Sequence, residues 1–397
     1  MGLTKFPDTF AFSAFGEPEV VEPYPLAQVD FVYGLNNKLG VTEVFGGGTA
    51  TKAVGRPHMI LSTAAAINSW ARYRTRRYLK YRSGQSLTVR YSSMFSPGVA
   101  GNIQVSGAFY IENQANVPTI IDGYGFGFNG DSFGILHANS GVLTWTPKAS
   151  FNYDPLDGTG PSGLNLDPTK FNLYQVKYPF LGVGTVFFYV EKPSGGMTPV
   201  HAIEYPNSAT VAQLGNPNLH IQSLAYNSTN TTAIALTEVT KSGFLSGHRR
   251  LLGPALAYER LSTGVGTTET YQFSLRCNTT INSLTNRSQL HLRRMGGANT
   301  GNSSVRIRIY RGATVTGQSF TDFDANNSIS AVSTAGTYTV GTGELIHVLN
   351  LGSDNSIAED IESFDDILEP GEIWTITAQG GGNGQVPQTS LMWIEDI

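Results

Sequence analysis

The sequence predicts an all-β protein: two β-sandwich, jelly-roll-like domains behind an extended N-terminal arm. Three observations carry this expectation. The 45 Gly and 19 Pro, with abundant Ser, Thr and Asn, supply the tight turns that many short strands need. Short apolar runs alternate with those turn signals along almost the whole chain, which is strand patterning rather than helix patterning. The 397 residues exceed a single small sandwich and leave room for two hydrophobic cores.

Taken in order, residues 1–27 form the arm, because Phe6 to Pro25 is rich in Pro, Glu and aromatics without a period. Residues 28–250 form the first sandwich. Its strands are expected at Gln28 to Tyr33, Ser86 to Tyr91, Val142 to Thr146, Phe171 to Phe180, Val183 to Val190, Val200 to Glu204, Asn218 to Tyr226 and Thr232 to Thr240. The pattern breaks at Ser246 to Pro254, so residues 251–268 read as a linker. It resumes in a second sandwich, residues 269–397, with strands at Thr270 to Arg276, Gln289 to Arg293, Val305 to Tyr310, Gly336 to Val340, Leu345 to Leu351, Ile373 to Ala378 and Ser390 to Glu395. One stretch departs from this: Ile357, Ile361, Phe364 and Leu368 recur at helical spacing and predict a short helix within 355–368, ended by Glu369-Pro370-Gly371-Glu372.

Charged residues are 14% and the net charge is -4, so no global basic field exists to gather nucleic acid. A content of 40% hydrophobic and 11% aromatic residues is enough to offset the entropy of ordering the chain. The lone Cys277 excludes an internal disulfide, which points to assembly in a reducing compartment. No segment reads as a secretory leader or a membrane span, and Phe6 stands where a myristoylation signal needs Ser or Thr.

Two catalytic patterns overlap at Gly125 to Gly134: G-x-G-x-x-G and G-x-S-x-G around Ser132. Each needs a strand running through a sharp turn into a helix, to meet a pyrophosphate or to lift a nucleophile. The flanking alternation is strand on both sides. The segment therefore reads as a hairpin turning at Asn129-Gly130 in a type I′ turn. Tyr124, Phe126 and Phe128 would then share one face, while Gly123, Gly125 and Gly127 leave the other open to a backbone or a large ring.

The basic stretch from Trp70 to Gly84 interleaves arginines with tyrosines. Strand alternation places Arg72, Arg74 and Arg76 on one solvated face. Arg72, Arg74, Arg76, Arg77, Tyr78 and Tyr81 are the candidate interface residues, since Arg and Tyr are enriched where proteins meet. The seven His are scattered without a metal-ligand spacing, and Asp322 to Asn326 lacks the Gly and distal Glu of a calcium loop. Asp360, Glu362, Asp365 and Asp366 read as the solvated face of the short helix. The sequons at Asn227, Asn230, Asn278, Asn286, Asn302 and Asn326 read as turns. No catalytic residue, cofactor site or metal site is expected.

The order Phe15-Gly16-Glu17, then Gln28 to Gly34, then Tyr78-Leu79-Lys80-Tyr81-Arg82-Ser83-Gly84-Gln85, then Gly125 to His137 resembles structural proteins of tailed bacteriophages and large DNA viruses. The likeness spans roughly residues 10–250 and continues more loosely through Leu368 to Trp374. It implies a non-enzymatic virion component of capsid-decorating, head-fibre or tail-fibre type with a jelly-roll module. Other virion proteins would be its partners, a homo-oligomer its state, and the virion, assembled in host cytoplasm, its location. The alternative is a lectin-like receptor-binding tail protein whose Trp145, Trp374 or Trp393 stacks on a host surface glycan. A glycan-cleaving tail enzyme ranks last, for want of an identifiable carboxylate pair.

Overall fold

The computed structural model describes residues 23–248, 251, 253–262, 264–361 and 366–397. Most of the expected arm, residues 1–22, lies outside them. The protein is all-β: among the described residues the only helical element is a single 3-10 turn, Lys148–Ser150. The chain divides into two compact units, Met1–Arg249 and Arg250–Ile397.

The first unit runs β1 (Tyr24–Asp30), β2 (Gly40–Phe45), β3 (Thr49–Lys52), β4 (Met59–Ser62), β5 (Trp70–Thr75), β6 (Leu87–Phe95), β7 (Asn102–Gln114) and β8 (Val117–Asn129). It continues through β9 (Ser132–Asn139), β10 (Val142–Pro147), β11 (Asn172–Tyr178), β12 (Val186–Glu191), β13 (Met197–Ile203), β14 (His220–Asn227) and β15 (Ala235–Leu245). One sheet has the order β13-β12-β11-β6-β15-β4-β3, with β1 also on β15; the other has β10-β9-β8-β7-β14-β5-β2. Tyr24 to Ala27, assigned to the arm from sequence, therefore begin a sheet strand.

The sandwich core lies between these sheets. Tyr124, Phe126 and Phe128 do share its face, together with Phe95, Phe133, Tyr174 and Phe188. Each such ring contributes on the order of 2 kcal/mol by leaving water. The opposite face of the seven-stranded sheet carries a second buried cluster that includes Trp70, Val105, Phe109, Leu136 and Leu224. Here the glycines receive a large ring, one of the two occupants expected for their face. A Cβ built at Gly123 or Gly125 would lie 2.7 or 2.6 Å from the Phe109 ring. Only hydrogen fits there.

The β8–β9 hairpin is confirmed, but not its turn. Asn129 pairs with Ser132, so the two loop residues are Gly130 and Asp131. Gly130 alone has a positive φ, +62°, which is the type II′ pattern with Gly at its first central position. The type I′ geometry occurs in the neighbouring hairpins, at Ala115-Asn116 and Ser140-Gly141, where both residues have positive φ.

The second unit runs β16 (Ala255–Leu261), β17 (Thr270–Cys277), β18 (Thr280–Ile281), β19 (Leu284–Thr285), β20 (Gln289–Asn299), β21 (Val305–Arg311), β22 (Val315–Thr316) and β23 (Thr321–Asp322). After these come β24 (Ser330–Ser333), β25 (Thr337–Tyr338), β26 (Glu344–Leu351), β27 (Asn355–Asp360), β28 (Ile367–Leu368), β29 (Ile373–Gly380) and β30 (Pro387–Asp396). Sheets ordered β16-β30-β20-β27 and β23-β24-β17-β29-β21-β26 enclose a core around Phe273, Met295, Ile307, Trp374 and Trp393.

Two expectations fail in this unit. The segment expected as linker contains β16, whose seven residues pair with Gln388 to Ile394. The segment expected as a short helix contains β27, which pairs with Arg294 to Asn299, and β28, which pairs with Leu290 and His291; residues 362–365 lie outside the described residues. Helical spacing of four apolar residues was outweighed by the open edge of β20, whose backbone groups require partners.

Candidate functional site

A groove of about 520 Å³ with several polar lining residues lies at the β10 edge of the seven-stranded sheet. Tyr124, His137 and Thr144 are cross-strand neighbours on β8, β9 and β10, so they form one row on the sheet's inner face. Tyr124 is core, His137 is largely buried and Thr144 is exposed: the row leads from the core to the edge. The groove opens at that edge. The end of β13 and the segment after it, Ile203 to Val211, supply its wall, including Glu204, Tyr205 and Ser208.

The wall is pinned from behind. Tyr124 Oη donates to Gln213 Oε1 at 2.5 Å, and Gln213 Nε2 donates to the Gly184 carbonyl at 2.8 Å. Asn139 Nδ2 donates to the Ala212 carbonyl at 2.8 Å, and His137 Nε2 lies 2.7 Å from the Gln213 carbonyl. A carbonyl can only accept, so His137 carries its proton on Nε2 and leaves Nδ1 as an acceptor. Burial holds the His137 imidazole below its ordinary pKa, which favours this neutral form, while the Gln213 bond and the Asp122 charge oppose the shift. The imidazole is stacked on Tyr124 at 5.2 Å, and the half-exposed Tyr205 ring stands perpendicular to it at 5.8 Å. Rings and acceptors thus meet in one preformed groove.

None of the residues singled out from sequence lines it. Arg72 and Arg74 share a face of β5, but that face is not solvated. Arg72 is buried, donating to the Ile111 carbonyl and to Glu43, both at 2.5 Å. Arg74 lies 3.8 Å from Glu43 and 3.4 Å from His220. Arg76 and Arg77 come after the end of β5 and are half-buried. Tyr78 packs on His220 with ring centroids 3.8 Å apart, and Tyr81 Oη accepts from Leu181 N. The arginines answer Glu43 from the adjacent strand, a cross-strand partner that local alternation does not reveal.

The tryptophans divide. Trp374 and Trp393 are fully buried in the second core and offer no face to a sugar. Trp145 is half-buried against the outer cluster, opposite Leu136, on the reverse side of β10 from Thr144. Ser132 lies at the exposed mouth of the β8–β9 hairpin. Of the acidic residues expected on the helix, Asp360 pairs with Arg294 at the surface and Asp366 accepts from the Trp374 indole; Glu362 and Asp365 lie outside the described residues. Asp324 spends its oxygens on Asn326 N, Asn327 N and Asn327 Nδ2, as a turn carboxylate does. Two sequon asparagines, Asn227 and Asn286, are strand or core residues instead of exposed turns.

His220 supplies a pH test. It is fully buried, and burial followed by the Arg74 charge depresses its pKa well below the ordinary value. The unfolded chain binds a proton there near pH 6.5 while the folded chain does not, so stability present above that pH is lost as pH falls. The expected slope is about 1.4 kcal/mol per pH unit below about 6.5 from this residue alone. Thermal unfolding from pH 7 to 5 should show a falling midpoint for the first unit. The fall should be smaller in His220→Gln.

No family model matches the chain, and no curated protein sequence matches it. Solved structures similar to it include an endo-beta-1,4-glucuronan lyase from the fungus Trichoderma reesei, at a TM-score of 0.36 and 9% identity, covering 55% of this chain and 95% of the lyase. A legume lectin-like domain from Entamoeba histolytica has a TM-score of 0.32 and 10% identity, over 54% of this chain and 95% of its own. Peanut lectin has a TM-score of 0.34 and 13% identity, over 56% of this chain and 99% of its own.

Proposed function

We propose that the protein is a glycan-binding protein, with the groove between β9, β10 and the Ile203 to Val211 segment as its sugar site. The observation that carries this reading is the joint presence of the Tyr205 and His137 rings with Thr144, Asn139, Glu204 and Ser208 around one open, pinned groove. A sugar ring has an apolar C–H face and a rim of hydroxyls, so it suits a wall that combines ring surface with hydrogen-bonding groups. Of the lining residues only Glu204 is a carboxylate, which suits binding more than two-carboxylate hydrolysis. The virion setting, with other particle proteins as partners and a homo-oligomeric state, rests on the sequence resemblance and is the second part of this proposal.

Screening the full chain on an array of immobilised oligosaccharides tests the groove. Tyr205→Ala is expected to weaken binding to every hit about tenfold, or about 1.4 kcal/mol, while leaving thermal stability nearly unchanged. Unaltered binding in that variant would move the site elsewhere.

A further inference from the structure

Resting on the glycan reading of the groove, we infer that its sugar is non-anionic: the groove selects neutral or amino sugars and rejects uronic and sialic acids. The argument is a census of what each lining group still has to offer. His137 spends its N–H on the Gln213 carbonyl, and its Nδ1 lone pair faces Tyr205 Oη at 3.5 Å. Asn139 spends one amide N–H on the Ala212 carbonyl and keeps the other, while its oxygen accepts from Ser140 Oγ at 3.2 Å and retains a second lone pair. Ser208 Oγ lies 2.9 Å from the carbonyls of Glu204 and Tyr205, so its proton is engaged and its lone pairs face outward. Glu204 is exposed and accepts only. Tyr205 Oη can give its proton to His137 Nδ1, which leaves its oxygen lone pairs for a ligand, and the Thr144 hydroxyl can serve in either polarity.

The set is therefore rich in acceptors, and none of its lining residues is Lys or Arg. A carboxylate-bearing sugar would meet Glu204 with no lining cation to offset the repulsion, and would exchange its water for only a few neutral donors. A sugar hydroxyl or ammonium brings donors and meets acceptors. The charge next to the site has the same sign: Asp122 stands behind the groove, accepting from Ser140 N at 3.0 Å and Gly215 N at 2.8 Å. The arginines of β5 cannot reverse this, because Arg72 and Arg74 lie on the other face of the sheet, beside Glu43.

The test is a calorimetric titration of the full chain with two probe sets at low salt. One set is neutral: cello-, malto- and manno-oligosaccharides with N-acetylchitooligosaccharides. The other is acidic: oligogalacturonates, oligoguluronates and sialyllactose. Wild type is expected to bind members of the neutral set at least tenfold more tightly than any acidic probe. Glu204→Lys, at an exposed position, is expected to narrow or invert that ratio, and Glu204→Gln to narrow it. Wild-type preference for the acidic set, or a ratio unmoved in Glu204→Lys, overturns the inference while the glycan reading stands. Binding to neither set removes the glycan reading, and the inference with it.

Discussion

Glu238→Gln is expected to cost about 3–5 kcal/mol of the first unit's stability, the usual consequence of leaving one half of a buried ion pair uncompensated. Glu238 and Lys241 are wholly buried and form an ion pair at 2.6 Å inside the sandwich. Three serines from both sheets donate to Glu238 Oε1: Ser93 from β6, Ser106 from β7 and Ser223 from β14, at 2.9, 2.5 and 2.7 Å. Lys241 also donates to Ser223 Oγ. In a regular strand, residues three apart point to opposite faces. Here a bulge intervenes: Glu238 pairs with Ser93 and Lys241 with Tyr91, three steps on β15 against two on β6. The extra residue turns both charges inward.

With Glu238 neutral, Lys241 keeps a charge that burial already disfavours. Lys241→Met should cost a comparable amount, for the mirror-image reason. The double variant is expected to cost less than the sum of the singles by about 1–3 kcal/mol, because the two residues answer each other. Denaturant unfolding of all four proteins measures this, and strict additivity would show that the pair is not an energetic unit.

Trp374→Ala is expected to destabilise the second unit by about 3–5 kcal/mol, with glycan binding by the first unit retained. The indole is fully buried among the second core's side chains, and its N–H donates to Asp366 Oδ2 at 3.0 Å. Asp366 is also held by Arg311, so the substitution leaves a cavity and removes one of that carboxylate's donors while the ion pair remains. Two-transition calorimetry with a binding assay on the same sample separates the outcomes. A stable Trp374→Ala protein that no longer bound glycan would restore this tryptophan as a sugar platform.

Much of the framework was legible because it is local. The strands at Leu87–Phe95, Asn172–Tyr178, His220–Asn227 and Val305–Arg311 follow from period-two alternation, and the glycine row opposite Tyr124, Phe126 and Phe128 pointed to close approach by a backbone or a large ring, of which the Phe109 ring is one. Less was legible where partners decide. Ile357, Ile361 and Leu368 have helical spacing, yet pairing with β20 draws their segment into strands. Arg72 reads as a solvated strand arginine until Glu43 is placed beside it.

The candidate site was not legible at all. His137 lies within the hairpin sequence and Tyr205 in an Ile-Glu-Tyr-Pro turn, and neither carries a motif; a buried histidine near a sheet edge is the only hint, and burial is not a sequence property. What the sequence by itself determined is the all-β class and many of the strand positions, since alternation and turn chemistry act between residues a few places apart. What only the tertiary structure decided is which residues meet: Glu238 with serines of the opposite sheet, Trp374 with the second core, and His137 with Tyr205, 68 positions later, across the groove. Those contacts form where the packing of two sheets brings distant strands together, and no local pattern records that distance.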